Sequence, residues 1–256
     1  MKLADYQHKY PNIAFERRDG VLLMRLHTDE GPLRFTIGSW GVHAQLGHAF
    51  YDVGRDAANR VVILSGTGDA FCAAFDANAG GEEIKYDHDF YDRMYKEGKD
   101  LLMNLLDIEV PVIGVVNGPA LIHAELVVMS DIVLASDTAV IADVTHFTAG
   151  VVPADGVHVW WPMLLGPNRG RHFLLTGERL NAQQAQDLGV VAEIHPHADV
   201  LQRAWELAEE MAKKPRLALR YTRVAFTQYL KRRMLDDLGY GLALEFTASA
   251  ARRAEG

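Results

Sequence analysis

Two histidines and a few carboxylates carry most of the chemistry this sequence offers. His146 stands among apolar residues after a strand-like run, in Val144-Thr145-His146-Phe147, and Asp155 follows in the same loop. A neutral imidazole near its working pH takes a proton from water, and a carboxylate on its second nitrogen holds the tautomer that allows this. His123, in Leu121-Ile122-His123, is a donor able to bind a carbonyl. Glu125 follows it at a spacing that, on a helix, puts the two side chains on different faces. Glu245 closes the run Gly241-Leu242-Ala243-Leu244-Glu245, where a carboxylate on an apolar helix face needs a partner. Each residue also has a plainer reading. An isolated histidine is commonly a hydrogen-bonded core residue, and Asp155 precedes Gly156-Val157-His158-Val159-Trp160, where it could cap a helix.

The elements that would position these groups run from Pro111 to Asp155. An apolar strand, Val112 to Val116, meets the turn Asn117-Gly118-Pro119, and a short helix follows from about His123 to Met129. Asp131 to Ser136 and Ala139 to Ala142 read as strands, and the loop with His146 and Asp155 comes next. A helix of about eight residues covers roughly 12 Å, and a strand of about five returns through a similar length. His146 is therefore expected beside His123, in one pocket with a carboxylate.

Around this stretch the chain alternates strands and helices. Ile13 to Arg17 and Val21 to His27 form a hairpin over Asp19-Gly20, and Trp40 to Val53 is helical. Val61 to Leu64 has the unbroken apolar run of a strand buried on both faces. Gly80 to Asp89 reads as a mobile segment before a helix from Tyr91 to Leu106. A helix follows from Asn168 through Leu175, Asn181 caps another from Ala182 to Leu188, and Val190 to Ile194 closes the sheet. Three helices end the chain, Val200 to Lys213, Leu217 to Met234 and Asp236 to Arg252. The pattern predicts an α/β layered fold, with a core over residues 1–196 and a helical region over 197–256.

Composition narrows the function classes. Apolar residues are 49% and charged residues 23% of the 256, ordinary for a globular chain. A net charge of -8 leaves no basic footprint for nucleic acid or anionic membrane. One cysteine, Cys72, excludes an intramolecular disulfide, and no apolar run reaches membrane-spanning length, so a cytoplasmic location is expected. Gly66-Thr67-Gly68 completes neither a dinucleotide nor a P-loop fingerprint, and no GxSxG elbow is present. No histidine pair has an HExxH context, so no metal is expected.

The motifs FCAAFD, NGPA, AEL, SDIVLASD, GVVP, LLGPNRGRHFLLTGERLNAQQAQDLGVV and KKPRLALRYTR, in this order from about Val61 to Arg223, resemble the crotonase (enoyl-CoA hydratase/isomerase) superfamily. That resemblance implies a spiral of ββα units with C-terminal helices that trimerise, giving a homotrimer or a dimer of trimers. It also implies oxyanion donors at the backbone N–H groups of Phe75 and Ile122. The departures are specific. His123 stands where the family keeps glycine, and His146 where hydratases carry their second catalytic glutamate, while Glu125 matches the first. Both changes resemble the branch of β-diketone hydrolases represented by 6-oxocamphor hydrolase, which implies a small diketone substrate, retro-Claisen C–C cleavage and no cofactor. In that branch a glutamate in a GLAxE context is functional, which points to Glu245. A tryptophan there binds the substrate, and the matching position here is Trp40 or, by alignment, Phe35; core packing is the better reading of Trp40. The alternative function is a CoA-dependent hydratase, isomerase or thioester hydrolase using Glu125.

Overall fold

The computed structural model describes residues 1–76 and 84–255. Residues 80–83 of the segment expected to be mobile lie outside the described residues. The chain opens with α1 (Leu3–Tyr6), the hairpin β1 (Ile13–Arg18) and β2 (Val21–Leu26), the short β3 (Arg34–Phe35) and α2 (Val42–Arg55). It continues through β4 (Val61–Ser65), β5 (Ala74–Phe75), α3 (His88–Leu106), β6 (Val112–Val116), α4 (Glu125–Val128), β7 (Ile132–Ser136) and β8 (Val140–Ile141). Then come α5 (Val157–Leu165), α6 (Pro167–Thr176), β9 (Leu180–Asn181), α7 (Ala182–Asp187), β10 (Glu193–His195), α8 (Val200–Ala212) and α9 (Arg216–Glu255).

Six strands form one sheet in the order β1-β2-β4-β6-β7-β10, parallel except for the β1/β2 hairpin. Alternation along the central strands explains their unbroken apolar sequences. Leu22, Met24, Val62, Leu64 and Val116 face the main core, while Val21, Leu23, Val61, Ile63, Ile113 and Val115 face a second core. The second core is closed by Val200, Ala204, Trp205 and Ala208 of α8. Each such side chain, taken wholly from water, contributes on the order of 1.5–3 kcal/mol, and this fixes the register of the sheet.

Close approach sets the helices that carry the pocket. A Cβ at Gly114 in β6 would stand 2.7 Å from Ser130 Oγ, so only glycine lets α4 lie this tightly on the sheet. The first two amides of α2 are held by Thr36, from Val42 to its Oγ1 at 2.8 Å and from His43 to its carbonyl at 3.1 Å.

The C-terminal region departs from the sequence reading. The two helices expected on either side of Leu235 are one 40-residue helix, α9. Asp236-Asp237 reads as a helix start, but no proline interrupts the run, and Leu230, Met234, Leu238 and Leu242 share one buried stripe that crosses the supposed break. The closing strand is also shorter than Val190 to Ile194, because Val190 and Val191 pack into the main core and only Glu193–His195 pairs with β7. No helix among the described residues is long and apolar enough to cross a membrane.

Arg223 anchors α9. Its side chain is 1% exposed, its Nη1 reaches both Asp131 oxygens at 2.6 and 2.7 Å, and it donates to the carbonyls of Ile108 and Leu105. Asp131 in turn accepts from the Val112 amide at 2.7 Å, tying the root of β6 to the helix. Arg223→Ala strands a mostly buried carboxylate and should cost about 3–5 kcal/mol, read as a lower urea midpoint at unchanged slope. A loss under about 1 kcal/mol would show that the clamp is dispensable.

Candidate active site

The turn after β6 delivers His123 in the left-handed region, at φ 48°. A non-glycine residue there is strained, and the strain persists because its side chain is fixed on two sides. His123 Nδ1 is 2.6 Å from Glu125 Oε1, and its ring stacks on Phe35 with centroids 4.2 Å apart. Helical spacing argued against a His123/Glu125 pair, yet α4 starts only at Glu125, so His123 lies outside the helix and is free to turn back. Beside it is His43 at the start of α2, 1% exposed, with Nδ1 3.2 Å from Glu97 Oε2 and Nε2 buried without a hydrogen-bond partner among the described residues.

His146 returns from β8 to the same pocket, its ring 6.4 Å from that of His123. Its Nδ1 lies 2.8 Å from each oxygen of Asp143, which also accepts the His146 amide at 3.2 Å. Its Nε2 is 3.9 Å from Asp155 Oδ2, within ion-pair range and beyond a hydrogen bond. The carboxylate at hydrogen-bond distance from the ring is therefore Asp143, and Asp155, expected in that place, is an ion-pair neighbour. Asp143 holds the ring, and Asp155 stands across the open nitrogen. The signal was present as Asp143-Val144-Thr145-His146, a turn in which the first side chain reaches the fourth residue. Nor is Asp155 a helix cap: it too is left-handed, at φ 47°, and Gly156 takes the N-cap position of α5 without a side-chain bond. A Cβ at Gly98 in α3 would stand 3.0 Å from Asp155 Oδ1, so that helix packs directly on the carboxylate.

These groups line a cavity of about 440 Å³, within the range of small-molecule sites. Glu245 reaches it from α9, with Oε2 buried and without a hydrogen-bond partner among the described residues. The side chains of Phe75 and Ile122 line it as well. The Ile122 amide, expected as an oxyanion donor, donates here to the Cys72 carbonyl at 3.2 Å, next to Leu121 at 2.8 Å. Trp40 is neither core nor part of this cavity. It is 43% exposed and stacks on Tyr10, 6.1 Å between centroids. Phe35 sits behind His123 as a buried platform. Glu125 is 2% exposed and engaged by His123. His43 and Glu97 were missed, because nothing local in the sequence marks a contact between α2 and α3. Two groups of donors converge on Asp155, His43/His123/Asp155 and His146/Asp155/Glu245, the atoms of each within 4.8 Å of one another.

Electrostatics follows from this crowding. Burial disfavours the His146 imidazolium, but the hydrogen bond to Asp143 and the negative charges of Asp143 and Asp155 outweigh it and raise the pKa well above 6.5. His123 is raised in the same way, burial being outweighed by Glu125. Asp155, despite a burial that would raise it, is held well below the usual carboxylate range by His146, His123 and His43. Glu245 has no such partner. Burial, and then the charge of Asp155, push it up to about 9, so it is a neutral acid at pH 7. The pocket thus holds a base oriented at one nitrogen, an imidazole donor and a carboxylic acid that carries a proton. That set can move one proton from water and return one to carbon.

Comparisons with known proteins agree with the architecture. A model of the enoyl-CoA hydratase/isomerase family matches residues 19–245. A carnitinyl-CoA dehydratase of Proteus mirabilis is 32% identical over 177 residues, 68% of this chain and 66% of its own. Among solved structures, a β-diketone hydrolase of the cyanobacterium Anabaena, bound to (S)-3-oxocyclohexyl acetic acid, is 49% identical over 97% of this chain and 98% of its own, with a TM-score of 0.92. An enoyl-CoA hydratase/isomerase from Mycobacterium paratuberculosis is 26% identical over 93% of each chain, with a TM-score of 0.84.

The pairing of His146 with Asp143 is checked by NMR titration of the ring. Asp143→Asn should lower the His146 pKa, since it removes a hydrogen bond and a charge that favour the imidazolium. An unchanged value in a folded variant would show that Asp143 does not hold the ring in solution.

Proposed function

The chain belongs to the enoyl-CoA hydratase/isomerase family, and on that premise we propose that it is a hydrolase cleaving a C–C bond of a cyclic or bicyclic β-diketone by a retro-Claisen reaction. The observation that carries this reading is the Asp143-held His146 whose open nitrogen faces Asp155 and Glu245 inside a cavity of about 440 Å³. The likeness to the Anabaena β-diketone hydrolase over almost the whole chain supports it.

In this mechanism His146 Nε2 takes a proton from water as the oxygen bonds to one carbonyl carbon. The tetrahedral oxyanion collapses, the C–C bond breaks, and its electron pair passes into the second carbonyl as an enolate. His123 donates to the enolate oxygen, and Glu245, neutral at pH 7, returns a proton to carbon. Transfer of the proton from His146 to the Glu245 carboxylate, both in the donor group around Asp155, then restores the resting pair, and diketone and water are converted to one keto acid with no cofactor. Asp155 balances the imidazolium that forms on His146. Phe75 and Ile122 supply apolar walls of the substrate pocket.

The CoA-dependent alternative is supported by the curated relatives, but it would need Glu125 as acid and base, and that carboxylate is buried against His123. A trimer, or a dimer of trimers, in the cytoplasm is the proposed working state. Its support is the row of exposed apolar side chains on α9, among them Phe226, Tyr229, Leu235 and Tyr240, each more than 60% exposed.

A turnover screen of bicyclic diketones against crotonyl-CoA tests the reading. His146→Ala should cut diketone cleavage about a hundred- to ten-thousand-fold with the fold intact. Crotonyl-CoA hydration that survives His146→Ala and vanishes in Glu125→Gln would transfer the protein to the hydratase class. The pH profile is a second check. His146 acts only when neutral and its proton is held above 6.5, so kcat/KM should rise on a limb alkaline of 6.5. It should fall again as Glu245 ionises near 9. A limb at or below 6.5 would contradict the assigned base.

A further inference from the structure

Two features of the pocket go beyond what the diketone chemistry uses. Among the described residues His43 Nε2 is buried with no hydrogen-bond partner, on a residue 1% exposed, and it faces a site whose chemistry already has its base, its donor and its acid. Asp155 is ringed by more imidazole nitrogen than one carboxylate needs to balance, since His43, His123 and His146 all stand around it.

The shared pattern is in the other nitrogens. His43 Nδ1 is held by Glu97 at 3.2 Å and His123 Nδ1 by Glu125 at 2.6 Å, leaving Nε2 of each ring as the free donor. A carboxylate behind each imidazole is the arrangement that orients histidines toward a metal ion and makes them better donors. We propose that His43, His123 and Asp155 form a binding site for a divalent transition-metal ion, with zinc the best match, and that an ion held there blocks the pocket.

Two imidazoles and one carboxylate suit zinc, which takes nitrogen and oxygen donors in a four-coordinate shell and accepts water in the fourth place. Calcium and magnesium, which want six or more oxygens, are poorly matched. The donor atoms lie within 4.8 Å of one another, so side-chain rotation must draw them together around bonds of about 2.0–2.1 Å. Glu245, whose Oε2 is buried without a hydrogen-bond partner among the described residues, belongs to the adjoining donor group on Asp155 and is the candidate for the fourth place. An ion so placed would engage both His123 and Asp155 and exclude a substrate carbonyl from the pocket.

The binding claim is independent of the diketone reading, and its test needs no substrate. The full-length protein, treated with chelator and dialysed, is titrated with Zn2+ against a chromophoric zinc indicator, and in parallel with Co2+ followed by visible absorption. One tight zinc per chain is expected, together with the strong d–d bands of four- or five-coordinate cobalt. Affinity should fall at least about tenfold in Glu97→Gln, through the lost carboxylate behind His43, and further in His43→Ala and Asp155→Asn. His172→Ala, on an exposed histidine, should leave it unchanged. Zinc affinity equal to wild type in folded His43→Ala or Asp155→Asn would overturn the site, as would weak octahedral cobalt spectra in the wild type. Should His43→Ala not fold, Glu97→Gln and the wild-type cobalt spectrum decide the matter. Inhibition of diketone turnover by zinc is a separate arm, and its failure alongside intact binding would count against the blocking role alone.

Discussion

One buried carboxylate, Asp155, governs the pocket, because a charge taken out of water persists only where opposite charge is brought to it. Three imidazoles supply that compensation, each oriented by a further acidic residue: His43 by Glu97, His123 by Glu125 and His146 by Asp143. The fold is arranged to bring them together. α2 contributes His43, the turn before α4 contributes His123, the loop after β8 contributes His146, and α3 presses a glycine against Asp155 itself. Two of the four, His123 and Asp155, are held in left-handed backbone. Such strain is tolerated only where the surroundings over-determine it, and here it lies at the residues that face the cavity.

The chemistry follows from how unevenly the charges are compensated. His146 and His123 are surrounded by carboxylates and keep their protons longer than an ordinary histidine. Glu245, on the far wall, meets burial and a like charge with no cation bonded to it, and keeps its proton longer than an ordinary glutamate. One environment thus makes a strong base from an imidazole and a weak acid from a carboxyl group within a few ångströms. This separation of roles is what water attack followed by carbon protonation requires.

Much of the fold was legible because central strands buried on both faces read as unbroken apolar runs: Val112–Val116 and the hairpin at Asp19-Gly20 stand where the sequence pattern puts them. The break at Asp236 was misread because a pair of aspartates resembles a helix start, while the stripe that carries α9 through it is set by tertiary packing. In the site, His123, His146 and Glu245 stood out as residue types in unusual company, and the resemblance to the β-diketone hydrolase branch turned them into site candidates. Asp143 was passed over for a carboxylate farther along the chain, although a local turn joins it to His146. His43 and Glu97 had no local signal at all, because their pairing exists only once α2 lies on α3. Trp40 was misplaced because an indole near an expected pocket looks like a ligand, whereas Tyr10 already covers one of its faces.

The central claim is that water, activated at His146, enters the product while a solvent-derived proton reaches the carbon released from the broken bond. Mass spectrometry of the product formed from a bicyclic diketone with a non-enolisable bridgehead carbon, in separate reactions in H2(18)O and D2O, tests it most directly. The account predicts a keto acid carrying one solvent oxygen in its carboxylate and one deuterium, on a single face, at the former bridgehead. Recovery of the intact diketone by protein that hydrates an enoyl-CoA in the same buffer would contradict it.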